Sequence, residues 1–568
     1  MLSLASSLVF GLCPQGIPNP PVVINEFQYD EYTRAVDVSE YVELYNRSAA
    51  PVDISGWTLT NHDVAAANTL VYTVQANTIL QPGQYWVMGA AGVTNVNQVL
   101  AILPGQTEIL RNENQALTLR NLANVIVDTV AQETNKGTLG NPTLQEGDGI
   151  WGNFQCTPSY ESSWSRARDG YDTNNNGRDF RIQPWTPGAT NTLNPRPTYF
   201  DIFDQYTVGA VLTEWGGSFK PARAIDPTQL QAPNPNVIPA SPQGGKAAIF
   251  WDETGGGNMN MLLADIREDW LFEAYVYFDA VLRPAGEYES WGIGAQGGTC
   301  SFFNHPDPSR TLYTTPAANG NSGVAWVYQI TSTGGWLYLV DHNDGGKDHV
   351  LLGKIQIQQG VNDGWQRLRL QAKGRRVEGI FGGAYGTAAG THISGYMSSP
   401  AAGGLYVGYR ELLANNGATR PVTMDLVTIA SPVFGEGEIG NAVATTKGTP
   451  TLTPNGFPML GWAGYQVDGS GLAPNSQSLY VIGGTQLGAP IHLGAIGGQQ
   501  GSYVYISLDA PFAVPTNANG LSSLPLPLPN NSALQGASIY LQNFDVDVAL
   551  ALPLPVGNSK ALKLTLGL

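Results

Sequence analysis

EYVELYN at residues 40–46 and DISGWTL at residues 53–59 decide how this chain folds. In the first run Glu40, Val42, Leu44 and Asn46 alternate with Tyr41, Glu43 and Tyr45, a period of two in β-forming residues. A short polar turn at residues 47–50 follows, and Trp57 then brings a large aromatic to the entry of a second strand. Two such strands in close succession predict a small all-β sandwich.

The bulk composition extends that reading along the chain. At 568 residues it is too long for one ordinary core. Its 68 Gly and 38 Pro are scattered among β-type runs, as turns between many short strands would be. Only 13% of residues are charged, about half the usual share, and amides and hydroxyls take their place, a surface suited to an extracellular protein. The formal charge of −17 repels phosphate backbones and anionic membrane faces, so nucleic acid is not an expected partner. No stretch of 18 or more apolar residues is present to span a membrane. Cys13, Cys156 and Cys300 lack the spacing of a zinc site; Cys156 and Cys300 are either bridged or two separate thiols. The head, MLSLASSLVFGLC, reads as the apolar part of an export signal, with a Pro/Gly-rich linker after it, together residues 1–20.

The first region, residues 21–192, continues with Val22 to Phe27, a Pro-Gly turn at Pro82-Gly83 feeding Tyr85-Trp86-Val87, and two runs around Leu117 and Ile126 joined by a polar turn at residues 121–124. Taken in order, INEF, YVELYN, DISGWTL, LQPGQYWVM, ALTLRN, NVIVDTV, SWSRARDGYDTNNNGRDF and TPGATN resemble the lamin-tail domain attached to secreted bacterial proteins. The resemblance implies an immunoglobulin-like fold and a binding or scaffolding role, with no catalytic residues.

Residues 197–433 hold about a dozen extended runs, among them WLFEAYVYF, AWVYQI and WLYLV, which predict a jelly roll. A hairpin is expected around Lys373-Gly374, with Leu368 and Leu370 on one face and Arg367 and Arg369 on the other. GWQRLRLQAKGRRVEGIF, GGLYVGYR and MDLVTIASP are similar to concanavalin-like lectin and glucanase domains. After a Gly-rich linker at 435–440, residues 441–568 predict a smaller C-terminal sandwich. Its last strand shares Leu562, Leu564, Leu566 and Leu568 on one face and so ends inside a sheet. The expected fold is therefore all-β, with three sandwich modules.

Four sets of residues could carry chemistry. Asp172, Asn174, Asn176 and Asp179 lie in a D-x-N-x-N-G run, either the start of a calcium loop or an ordinary turn; Gln183 occupies the place of the closing bidentate Glu. Asp341, Asp344 and Asp348 lie around Asn-Asp-Gly-Gly, a hairpin turn or a lectin-like calcium site. Glu287 and Glu289 flank Tyr288 as a glycosidase pair would, without the third acid of the glucanase pattern. Trp291, Trp326 and Trp336 either fill the jelly-roll core or stack on sugar rings.

No catalytic or cofactor-binding residue is expected, and calcium is the one ion the acidic loops would take. The leading expectation is a secreted or cell-surface, non-catalytic adhesion protein that binds an extracellular glycan or protein matrix. The alternatives are a self-assembling homo-oligomeric subunit of a fibre or surface layer, and a glycan-active hydrolase.

Overall fold

A computed structural model describes residues 19–567 apart from 30–38, 64–68, 103–107, 112–113, 134–141, 148, 152–161, 167, 192–197, 218–220, 231–236, 251–256, 263–266, 298–322, 342–349, 398–403 and 413–421. The described chain is almost entirely β, its one α-helix being the four residues Asn176–Asp179. It forms two compact units, one of residues 1–270, 275–365 and 397–428, the other of 271–274, 366–396 and 429–568.

In the first unit two sheets face each other at the N-terminal end. One has six strands in the order Phe180–Pro184, Ser162–Arg166, Val22–Gln28, Tyr41–Asn46, Tyr85–Gly89 and Gln98–Val99. The other has five, in the order Ile150–Trp151, Ile126–Glu133, Gln115–Arg120, Thr58–His62 and Leu70–Thr73. YVELYN and the strand entered by Trp57 thus lie in opposite sheets, and the turn between them is an arch. Val42 and Leu44 point into the shared core with Ile24, Phe27, Leu59, Leu117 and Leu119.

The opposite face of YVELYN is buried as well, which its alternation does not foretell. TPGATN crosses it as a strap: Glu26 accepts from the Thr186 amide at 2.8 Å, and Glu43 accepts from the Gly188 amide at 2.7 Å. Glu26 and Glu43 are directly paired across the two strands, with a bulge beside them. A sheet face carrying two carboxylates can be covered only by a segment that brings donors, and the strap does.

The same unit holds a seven-stranded antiparallel sheet, in the order Trp215–Gly217, Gly257–Leu262, Gly404–Leu412, Tyr288–Gly297, Val324–Ile330, Gly335–Asp341 and Val350–Ile357. Its inner face carries Trp291 and Tyr328, whose rings lie 5.1 and 5.2 Å from that of Phe278. Its outer face is apolar at one end, where Ala325, Val327, Tyr338, Val340 and Tyr406 join the core cluster of the N-terminal sandwich. Three further strands, Arg223–Ile225, Ala247–Phe250 and Val422–Ala430, pair antiparallel in that order.

In the second unit the strand Gly364–Lys373 turns at Gly374 (φ 56°) and pairs with Arg376–Phe381. Arg367 and Arg369 lie on the face opposite Leu368 and Leu370, as the alternation predicts, and that face is buried too, with Glu273 bridging the two arginines at 2.5 and 3.3 Å. The run at 435–440 is no linker but the strand Gly435–Ile439, an edge of a six-stranded sheet. Next to it lies Ala561–Thr565, which also pairs with Ser538–Val546, so the last strand is flanked on both sides. Leu562, Leu564 and Leu566 fill the core there.

Gly294 shows how tightly adjacent strands pack within the seven-stranded sheet, where it lies directly opposite Tyr406. A β-carbon at this position would stand 2.2 Å from Cζ of Tyr406, a ring with no exposed surface and no room to retreat. Gly294→Ala is therefore expected to destabilise the chain by about 1–3 kcal/mol, the usual cost of overpacking a core, read as a lowered urea midpoint. Gly437→Ala, whose β-carbon meets nothing within 4 Å, serves as the control.

Candidate functional site

The free end of the outer face of the seven-stranded sheet gathers the side chains best placed to meet a ligand. Strand register aligns Ser290, Gln329, Trp336 and Gln356 in one row across four strands. The next row runs Gly292, Val327, Tyr338 and Lys354. Gly292 lies directly opposite Val327, and the Lys354 ammonium lies 4.5 Å above the Trp336 ring. Gln356 and Lys354 are exposed and Trp336 is half-buried.

Gln329 is only 5% exposed, and its Nε2 has no hydrogen-bond partner among the described residues. Ser290 donates to the Tyr328 carbonyl at 3.0 Å, and Gln356 accepts from Gln358 at 3.0 Å. The row offers a flat aromatic ring, amides that both donate and accept, and a cation resting on the ring.

Of the three tryptophans singled out in the sequence, only Trp336 lies on this face. Trp291 and Trp326 point the other way and are buried, 3% and 0% exposed. Glu289 shares that inward side, buried and ion-paired with Arg283, with the Tyr409 hydroxyl donating to it at 3.2 Å. Glu287 precedes the strand in a turn closed on the Pro284 carbonyl. The two acids are not brought together on the open face. Asp341 is buried at the end of its strand, opposite Val350, while Asp344 and Asp348 lie outside the described residues, as do Cys13, Cys156 and Cys300. Gln329, Lys354 and Gln356 were legible only as alternating polar positions; which strands lie side by side decides that they meet Trp336.

The D-x-N-x-N-G run closes on the protein itself. The Asp172 carboxylate meets Arg47 at 2.9 Å and Arg166 at 3.6 Å, and accepts from the Asn174 amide at 3.0 Å. Asp179 accepts from Arg166 at 3.1 Å and from the Thr173 hydroxyl at 2.7 Å. Asn176 accepts from the amides of Ala131 and Glu146 and donates to the Thr129 carbonyl. Asn174 takes the left-handed backbone the turn needs (φ 56°). The Arg166 guanidinium thus stands where the loop's carboxylates converge. Among the described residues no group of three or more His, Cys, Asp or Glu is arranged to hold a metal ion.

The same region stores protons. Burial, reinforced by the Asp128 charge, lifts the Glu146 carboxyl to about 10. Burial and the Glu26 charge lift Glu43 to about 9. Burial alone would lower the Arg166 pKa, but Asp128, Asp179 and Asp172 outweigh it and hold the guanidinium charged. Both glutamates bind their proton more tightly folded than unfolded, so their share of stability is full at pH values below the ordinary carboxylate range and is lost as pH rises toward 9–10. The melting temperature should fall between pH 5 and pH 9, and Glu146→Gln, a permanent copy of the neutral form, should make the fall shallower. An identical slope in wild type and variant, followed by circular dichroism, contradicts the assignment of the proton to Glu146.

No curated protein matches the chain. Among solved structures, the carbohydrate recognition domain of Emp47p is 9% identical over 41% of this chain and 94% of its own, with a TM-score of 0.25. The lectin UEA-II complexed with galactose is 7% identical over 42% of this chain and 99% of its own, at 0.24. The Bacillus licheniformis β-glucanase is 10% identical over 42% and 99%, at 0.22. The N-terminal sandwich has a match in sequence: residues 16–134, from before the first strand to the end of Ile126–Glu133, match the family model of the Lamin Tail Domain.

Proposed function

We propose that the chain is an exported, non-catalytic binding protein and that the row Ser290, Gln329, Trp336 and Gln356 takes a glycan. Gln329 carries the reading. A buried amide donor without a partner costs about 1–3 kcal/mol, and a ligand hydroxyl that reaches it once neighbouring side chains move aside recovers that cost. Beside it Trp336 offers the apolar ring face on which the C–H face of a sugar stacks, once the Lys354 stem swings aside; a cation on an exposed ring is worth only ~0.5–1 kcal/mol, so little opposes the movement. Amides that both donate and accept suit hydroxyls, which do the same. The acids Glu287 and Glu289 do not share this face, which favours binding over hydrolysis.

The low charge, the amide-rich surface and the apolar head support export. A Lamin Tail Domain match alongside a glycan-binding sheet fits adhesion to an extracellular glycan or matrix. Self-assembly through the C-terminal strand draws less support. That strand is paired on both sides, and the two edges of its sheet carry Glu436 and Glu438 at one side and Pro511 and Pro515 at the other, residues that discourage strand addition.

A glycan array followed by titration calorimetry on the best ligand tests the reading. Trp336→Ala should weaken binding about tenfold, the loss of one stacking contact of ~1–1.5 kcal/mol. Gln329→Leu should weaken binding while raising the melting temperature of the free protein, since it removes an unsatisfied buried donor. Unaltered affinity in both variants, or no glycan bound by the wild type, overturns the assignment.

A further inference from the structure

The second unit holds a cleft of about 580 Å³ on which nothing above depends. It lies against the small sheet formed by Thr451–Pro454, Gln466–Ser470 and Ser522–Pro525. Register places Thr453, Asp468 and Ser523 side by side across the three strands. Asp468 Oδ1 accepts from the Ser523 hydroxyl at 2.6 Å and from Gln466 Nε2 at 3.1 Å, and these two donors fix the carboxylate. Its Oδ2 takes no hydrogen bond from any described residue.

Asn517, which also lines the cleft, is oriented the same way. Its Oδ1 accepts from the amides of Asn519 and Leu521, at 2.9 and 3.0 Å, which leaves both Nδ2 hydrogens without a partner among the described residues. Pro515 and Leu521 add apolar wall, Leu521 being 45% exposed.

The inventory selects a ligand class. No Lys, Arg or His lines the cleft, so an anion finds no counter-charge. One carboxylate with no aromatic ring beside it is a poor cage for an organic cation. A fixed acceptor, a fixed amide donor and an apolar wall suit the edge hydroxyls, ring oxygen and C–H face of a sugar, and the volume falls within the range of small-molecule sites. We infer that this cleft is a second saccharide site, one that takes a neutral mono- or disaccharide and is independent of the Trp336 row.

Saturation-transfer NMR on the full chain carrying Trp336→Ala separates the two sites. Methyl glycosides of mannose, galactose and glucose, with maltose and cellobiose, are the probes, and butylamine tests for a cation site. At least one sugar should bind in that background. Asp468→Asn or Asn517→Ala added to it should weaken that binding about tenfold or more. Asp468→Asn changes no volume and, on a partly exposed strand, should leave the melting temperature in place, so a loss of binding would not reflect unfolding. Sugar binding that survives both substitutions, the absence of sugar binding in the Trp336→Ala background, or displacement of the sugar by butylamine at equal concentration each overturns the inference. Loss of the Trp336 row alone leaves it standing.

Discussion

The Arg166 guanidinium has no exposed surface and joins parts of the N-terminal sandwich that no apolar contact could align so narrowly. It donates to the carbonyls of Ile24 and Tyr171, at 2.8 Å each, and to the carboxylates of Asp128 and Asp179, at 3.0 and 3.1 Å. Asp128 in turn accepts from the Ile24 amide at 2.6 Å. One side chain therefore ties the first strand to both sheets and to the 172–179 loop. A buried pair of this kind is not a reliable source of net stability, because desolvation offsets much of the attraction. Its consequence is specificity. Removing Arg166 would leave buried carboxylates uncompensated, so only the arrangement that supplies the guanidinium is accessible. The loop resembles a cation site because its carboxylates do converge on a cation, and the cation is covalently part of the chain.

The strap makes the same argument on the other side of the sheet. Glu26 and Glu43 stand opposite one another with no arginine between them, and the donors they receive come from Thr186, Gly188, Ser163, Tyr41 and Asn25. Burial and the adjacent Glu26 charge raise the Glu43 pKa, and neutral donors offset that rise less than a cation would. The module solves one problem, a polar sheet face that must be closed, with a charge at one end and with protons and amides at the other.

These two solutions explain what could be read from the sequence and what could not. Period-two alternation in YVELYN and AWVYQI, and turn residues at Pro82-Gly83 and Lys373-Gly374, announce strands because each depends on neighbours close in sequence. The burial of Tyr41, Glu43, Arg367 and Arg369 depends on partners 94 to 145 residues away, such as Glu273 for Arg367 and Gly188 for Glu43. No local pattern encodes that distance. The 435–440 run misleads for a related reason: glycine alternating with glutamate has the composition of a linker, and only the apolar strand Ala561–Thr565 beside it makes it a sheet edge. Among the aromatics, Trp291, Trp326 and Trp336 have equal claims to a ligand by residue type. One residue of register separates the inner from the outer face, and it alone sets Trp336 apart.

The outer face of the seven-stranded sheet is divided along its strands, and the division follows from side-chain chemistry. At the end bearing Tyr406, Gly294, Ala325 and Val340 the side chains are apolar, aromatic or absent, and they join the core of the N-terminal sandwich. Four positions further along each strand the row changes to Ser290, Gln329, Trp336 and Gln356. Extending the same apolar cover over these amides would strand their donors and acceptors at a cost of ~1–3 kcal/mol each, more than the added contact area repays. Within that row Ser290 and Gln329 are still buried, and only Trp336 and Gln356 keep exposed surface. Trp336 is held between the two regimes, packed against the apolar cluster yet only half-buried.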